Sequence, residues 1–283
     1  MPASRLARLA AVRGQVAALE AGTRTPSAVL PFGDPRVDDC LPGGGLPLGR
    51  WHEVTGNGLE TETGAATAGF AALLALPLAA RGAVVWILRR DDLYAPGLET
   101  LGFPARRLIQ VRVRDETAAL MALEDALGSA GVAAVAAEIE DVDLTAGRRL
   151  QLACEKHGAT GFVIQRRPFG GASRKAAGGS AAATRWRVSA SASDPPAGEP
   201  GLGPPRWTAA LERCRGGRPG AWTFEGRQEA DHGSHPLAVV PGLAGDGVAA
   251  EDRALKALPP GGGKGWDGGG GEDGWQAVGR RTA

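Results

Sequence analysis

Residues 43–70 read GGGLPLGRWHEVTGNGLETETGAATAGF, and this stretch decides how the rest of the chain is interpreted. A glycine-rich turn leads into WHEVT (51–55), which is predicted to form a short strand, and a second glycine-rich stretch leads into a helix of small residues. A strand, a glycine loop and a helix N-terminus together form the scaffold of a phosphate-binding loop with the pattern G-x-x-x-x-G-K-[ST]. The sequence therefore predicts the framework of a nucleotide site that begins at Gly56.

This framework lacks the charge that binds phosphate. With Gly56 as the first glycine, Thr61 stands at the second glycine, Glu62 at the lysine, and Thr63 follows. The lost charge-assisted hydrogen bond costs roughly 1.5–3 kcal/mol, and the Glu62 carboxylate would repel a phosphate. Backbone N–H groups near Gly56 and Gly58 could still bind ATP weakly. We therefore expect a degenerate nucleotide site without turnover and without a cofactor, and weak ATP binding stays open.

Composition limits the classes of protein. A chain of 283 residues with 43% hydrophobic content can bury one sizeable core. The net charge of +1 means that any basic surface is local. The cysteines and histidines show no metal-ligand spacing, and the three scattered cysteines suit a reducing cytoplasm. No run approaches the ~18 apolar residues of a membrane span. We expect a cytoplasmic protein without a metal.

Apolar runs alternate with helical periodicities through the middle of the chain. Strands are predicted over 83–88, 108–113, 132–138, 161–165 and 184–193. Helices are predicted over 64–80, 93–101, 117–129 and 144–157. Strands that alternate with helices indicate an α/β fold with a mostly parallel sheet flanked by helices.

The chain divides into four predicted parts. An amphipathic helix is expected within residues 1–22, and the proline-containing residues 23–42 that follow it are predicted to be a linker. The α/β core covers 37–193, and an irregular Pro/Gly-rich extension covers 194–242, with an aromatic strand at 221–225. Residues 243–283 are rich in glycine and are expected to be disordered.

Four segments, taken in order, resemble the core of RecA-type recombinases over residues 37–193. They are VDDCLPGGGLPLGRWHEVTG (37–56), AVVWILRRDDLYAPGLETLGF (83–103), AVAAEIEDVDLT (134–145) and GFVIQRR (161–167). By this resemblance Glu138 stands at the Walker B aspartate. Arg90 stands where that family has the acid that activates the attacking water. The resemblance thus implies a RecA-like fold whose nucleotide site has lost two charged groups.

The retained fold and lost site resemble the ImuA family, whose C-terminal segment is similar to residues 206–225 and 235–241, RWTAALERCRGGRPGAWTFE and HPLAVVP. The resemblance implies a non-catalytic adaptor in SOS DNA repair and damage-induced translesion mutagenesis. Its implied partners are a Y-family-like polymerase subunit, an error-prone replicative-type polymerase and a recombinase. Two alternatives remain open, namely a DNA-dependent ATPase of the recombinase type and an inhibitor of cell division.

A basic segment follows the last central strand. Its candidate DNA-binding residues are Gln165, Arg166, Arg167, Arg174 and Lys175. Cations on a Gly/Ser-rich stretch suit single-stranded DNA, because they neutralise phosphates. By the recombinase resemblance, this region is the second DNA-contacting loop. The alternative is a solvated loop whose arginines only aid solubility.

Two surfaces are candidates for binding a partner protein. Leu6, Leu9 and Val12 share one face of the N-terminal helix, and Trp207 and Trp222 lie in the C-terminal extension. Tryptophan is enriched at interface hot spots. The alternative is that both sets pack on their own domain, the helix by its apolar face and the tryptophans over the edge of the sheet.

Overall fold

A nine-stranded sheet dominates the computed structural model, which describes residues 28–166, 180–193, 195, 198, 200–227 and 235–240. The strands are β1 (Val29–Leu30), β2 (Leu46–Pro47), β3 (Trp51–Gly56), β4 (Ala83–Leu88), β5 (Leu108–Arg112), β6 (Val132–Ile139), β7 (Thr160–Gln165), β8 (Thr184–Ser191), β9 (Arg206–Cys214), β10 (Gly220–Gly226) and β11 (Leu237–Val240). The helices are α1 (Pro35–Asp38), α2 (Glu60–Ala75), α3 (Ala95–Thr100), α4 (Glu116–Leu127) and α5 (Leu144–His157), with 3₁₀ turns at Leu76–Ala80 and Ala105–Arg107.

The strand order of the sheet is β11-β10-β9-β8-β3-β7-β6-β4-β5, and β1 pairs with β2 separately. Every pair from β5 to β8 is parallel, and the pairs from β8 to β11 are antiparallel. This confirms the predicted mostly parallel α/β sheet. The strand that leads into the glycine loop, β3, lies between β7 and β8, so its carboxyl end is in the middle of the sheet.

Alternate residues of the central strands face two different cores. Trp86 and Phe162 face the core that contains α2, whereas Trp51 and Val163 face the core that contains α4 and α5. The 18-residue window Thr63–Ala80 is apolar enough to cross a membrane, but 78% of it is buried inside the structure. The burial of this window is therefore that of a core helix in a globular protein.

Helix ends follow local signals in the sequence. The side chain of Asp143 caps α5 by accepting the N–H of Ala146, and Gly158 ends it with φ of +78°. The predicted helix 144–157 has these bounds. Helix α2 begins at Glu60 rather than at residue 64, and Pro77 lies in the 3₁₀ turn after it. The first turn of α2 therefore includes residues that the sequence assigned to the loop.

The prediction of a linker over 23–42 is wrong for its described part, residues 28–42. Phe32, Val37 and Leu41 are buried in the core on the α2 side of the sheet. The carboxylate of Asp38 accepts the backbone N–H groups of Phe32 and Gly33 at 2.8 and 2.9 Å. Of the prolines that indicated a linker, Pro35 instead begins α1, and Pro31 and Pro42 each adjoin a buried residue.

The C-terminal extension is more regular than its composition indicates, because β9, β10 and β11 continue the same sheet beyond β8. Phe224 is fully buried and its ring lies near those of Phe32, Phe70 and Trp186. The described residues up to Val240 belong to one compact unit. The predicted N-terminal helix (1–22) and tail (243–283) lie outside the described residues.

Candidate functional site

The carboxyl ends of four parallel strands meet at one edge of the sheet. Gly56 is the last residue of β3, Glu138 is the next-to-last residue of β6, and Gln165 is the last residue of β7. Arg89 and Arg90 follow β4 on the same edge. Ligands of open α/β sheets bind in the crevice outside this edge, so it is the natural place to look for a site.

The loop between β3 and α2 is short, and the side chain of Thr63 from α2 packs against Gly56 at the end of β3. Only residues 57–59 separate β3 from α2. A Cβ added at Gly56 would lie 2.1 Å from Oγ1 of Thr63, which is 6% exposed. Only glycine therefore permits α2 to approach the end of β3 this closely. The hydroxyl of Thr63 donates to the carbonyl of Leu59 at 3.0 Å.

Two backbone donors at this junction, one in the loop and one in the first turn of α2, are already used. The N–H of Asn57 donates to the carbonyl of Val188 in β8 at 3.0 Å, and the N–H of Thr63 donates to Leu59 at 3.1 Å. Gly58 has φ of +144°, which favours glycine at that position. Thr61 lies in the first turn of α2, as does Glu62. The space beside the Cα of Gly56 and these two N–H groups are thus unavailable to a phosphate in this conformation.

A buried carboxylate lies at the same edge of the sheet, two strands away from β3, and carries its own counter-ion. Glu138 is 3% exposed, and burial raises its pKa although the neighbouring charge of Arg166 lowers it. The guanidinium of Arg166 donates from Nη2 to Oε1 of Glu138 at 2.8 Å and from Nη1 to Oδ2 of Asp92 at 3.2 Å. The acid at the Walker B position is therefore paired with a cation from the same chain.

Arginines surround this carboxylate. A pocket of about 190 Å³ is lined by Arg89, Arg90, Arg114, Glu138, Glu140 and Arg166. Arg89 donates to Glu116 at 2.9 Å and to Glu140 at 2.8 Å. Arg90 also lines a groove of about 590 Å³ between α2 and α3, so the position expected for an activating acid carries a cation. Among the described residues, no three His, Cys, Asp or Glu side chains form a group that could hold a metal ion.

The basic segment is described only at its start. Gln165 is partly buried at the end of β7, and Arg166 is held in the ion pairs with Glu138 and Asp92. The other three predicted DNA-binding cations, which we term the outer cations, lie outside the described residues: Arg167, Arg174 and Lys175. The use of these residues in DNA binding stays a prediction.

The two tryptophans predicted to bind a partner belong to different environments. Trp207 is buried, and its ring is so close to Gly69 of α2 that an added Cβ would lie 3.2 Å away. Trp222 is partly buried and its ring centroid lies 6.1 Å from that of Trp186. The burial of Trp207 favours the alternative in which it covers its own sheet. Leu6, Leu9 and Val12 lie outside the described residues.

A second buried carboxylate was not singled out from the sequence. Glu53 on β3 is 1% exposed, accepts the Ser180 hydroxyl at 2.6 Å, and pairs with Nε of Arg185 at 2.5 Å. The side chain of Arg213 also donates to the carbonyl of Ser180 at 2.5 Å. These contacts fix the chain where it returns after the basic segment. Ser180 and Arg185 are each more than 100 residues away from Glu53, so only the register of β3 and β8 could have indicated these contacts.

Comparison with known proteins identifies the family. No family model matches the chain. The chain is 60% identical over 243 residues to Protein ImuA of Caulobacter vibrioides strain NA1000 / CB15N, and the match covers 84% of this chain and 99% of that relative. Protein ImuA of a second strain of the same species, ATCC 19089 / CIP 103742 / CB 15, matches with the same identity and coverage. As the sequence predicted, this chain belongs to the ImuA family.

Proposed function

We propose that the protein is a non-catalytic, RecA-like adaptor in damage-induced translesion mutagenesis. Membership of the ImuA family supports a part in the response to DNA damage. The absence of catalysis is inferred from the loop after β3, where the side chain of Thr63 packs directly against Gly56.

Two independent features argue against turnover at this site. Thr63 packs against Gly56, its hydroxyl donates to Leu59, and the N–H of Asn57 donates to Val188, so a phosphate that used these groups would have to displace their present partners. The acid that remains, Glu138, is already neutralised by Arg166, and Arg90 would not act as a base toward water because its guanidinium stays protonated. Phosphate binding and activation of water are thus each disfavoured by a different feature of the site.

The adaptor part of the proposal concerns surfaces rather than chemistry. The outer cations would bind single-stranded DNA by neutralising phosphates. The apolar face with Leu6, Leu9 and Val12, together with the partly buried Trp222, would bind a polymerase subunit or a recombinase. The protein would then bring a Y-family-like subunit and an error-prone replicative-type polymerase to damaged DNA in the cytoplasm.

A capture experiment with purified components tests the adaptor role. The Y-family-like subunit is immobilised, and retention of the replicative-type polymerase is measured with and without the full chain. We expect the full chain to increase retention, and a variant with Leu6, Leu9 and Val12 changed to alanine to lose that increase. Equal retention without the chain would contradict an adaptor role. Capture of a cell-division protein in place of both polymerases would instead favour the division-inhibitor alternative.

A further inference from the structure

One arginine bridges carboxylates from neighbouring strands. In the order β7-β6-β4, Arg166 follows β7, Glu138 lies near the end of β6, and Asp92 lies shortly after β4. The guanidinium donates to Glu138 at 2.8 Å and to both oxygens of Asp92 at 3.2 and 3.4 Å. The Arg166 side chain is 16% exposed, so the cation lies between its partners rather than in solvent.

We propose that Arg166 is a resident cation that closes this pocket to free cations, including divalent metal ions. A metal ion that approached Glu138 would have to displace a guanidinium that already satisfies the same carboxylate oxygen. It would also meet Arg90 and Arg114 on the pocket wall, next to Arg89, which is paired with Glu116 and Glu140. Among the described lining residues, arginines outnumber acids and Glu138 is the deeply buried acid, so a second cation beside Arg166 is disfavoured.

The backbone holds Arg166 in place. Its N–H donates to the carbonyl of Ile139, the last residue of β6, at 3.1 Å. Its side chain lines both the 190 Å³ pocket and the 590 Å³ groove, and so forms part of the wall that they share. Withdrawal of the guanidinium would leave the buried Glu138 carboxylate unpaired, which is strongly unfavourable. The closed state is thus a property of the folded sheet.

This inference deepens the proposed lack of turnover, since it names what occupies the acid site. Its test needs only Mn²⁺ and no polymerase, DNA or nucleotide. Failure of the adaptor role in the capture experiment and failure of this inference are therefore distinguishable.

The test compares Arg166→Met with a matched control, Arg112→Met. Arg112 forms an exposed ion pair with Asp91 close to the same edge, and its side chain is 61% exposed. Free Mn²⁺ is measured by electron paramagnetic resonance during titration of the full chain. We expect Arg166→Met to bind one Mn²⁺ at least tenfold more tightly than wild type, and the added change Glu138→Gln to abolish the gain. No gain, or an equal gain in Arg112→Met, overturns the inference.

A second measurement does not depend on how well Arg166→Met folds. In the wild-type background, Glu138→Gln should leave Mn²⁺ affinity unchanged, because Arg166 already occupies that carboxylate. If wild type binds Mn²⁺ and Glu138→Gln removes the binding, the pocket is an open metal site and Arg166 does not close it.

Discussion

Because two histidines are buried, we expect the folded domain to lose stability in mild acid. His52 lies on β3 and is fully buried, with Nδ1 2.7 Å from the Thr184 hydroxyl and Nε2 3.0 Å from the carbonyl of Pro47. Burial lowers its pKa from 6.5 to about 4. His235 is buried 4.5 Å from the ring of Phe32, and burial likewise lowers its pKa to about 4.

The sign of the pH dependence of stability follows from which state, folded or unfolded, binds protons more tightly at these histidines. Between pH 6.5 and 4 the unfolded chain protonates these imidazoles and the folded chain does not, so the free energy of unfolding falls as the pH falls. One unit of pKa corresponds to ~1.4 kcal/mol, so each histidine costs about 2 kcal/mol at pH 5 and about 3 kcal/mol below pH 4. The raised pKa of Glu138 acts in the opposite direction and offsets part of this loss.

Urea unfolding of the full chain at pH 7 and pH 5, followed by tryptophan fluorescence, measures the loss. His235→Asn keeps an acceptor for the N–H of Leu237, which lies 3.1 Å from Nδ1, and removes the titrating ring. The pH-dependent loss should then shrink by about 2 kcal/mol. The matched control is His157→Asn at the exposed end of α5, which should keep the wild-type dependence. If His235→Asn and wild type lose the same free energy between the two pH values, the assignment is wrong.

Three further predictions concern the loop, the extension and DNA. Gly56→Ala should destabilise the fold by roughly 1–3 kcal/mol through overpacking against Thr63, and adding Thr63→Ala should recover most of the loss in urea midpoints. Phe224→Ala should cost roughly 3–5 kcal/mol in the same assay, because this extension residue is fully buried, and an effect under 1 kcal/mol would show that the extension is separate from the core. Changing the three outer cations to alanine should weaken single-strand binding and lower the log–log salt slope by about 2, whereas an unchanged slope would exclude those cations from the interface.

Secondary structure in the parallel half could be predicted from the sequence because its apolar stretches alternate with helical periodicities, and β4 is a continuous apolar run. The run at 83–88 is buried on both faces in the sheet, and α5 carries an aspartate cap and a terminal glycine. Residues 28–42 could not be predicted in this way. Their buried side chains are few and separated by prolines, and their contacts with Phe224 and His235 are made by residues about 200 positions away.

Of the candidate site, the sequence predicts only which charged groups of a nucleotide site are absent. The pattern from Gly56 shows directly that lysine is absent. It does not show that α2 begins at Glu60 or that Thr63 fills the loop, because helix bounds near glycine depend on packing. The basic neighbours of Arg166 in the sequence predict a role in DNA binding. Its ion-pair partners are Glu138 near the end of β6 and Asp92 after β4, which lie far from it in the sequence. Pairing across a sheet is set by strand order, which composition does not reveal.

The most direct test of the account is steady-state phosphate release from ATP with Mg²⁺, in the presence and absence of single-stranded DNA. The account predicts no release above the buffer rate for the full chain, and no difference between wild type and Glu138→Gln. Sustained release that DNA stimulates and that Glu138→Gln abolishes would contradict it, because both the filled loop at Gly56 and the paired acid would then have to open during turnover.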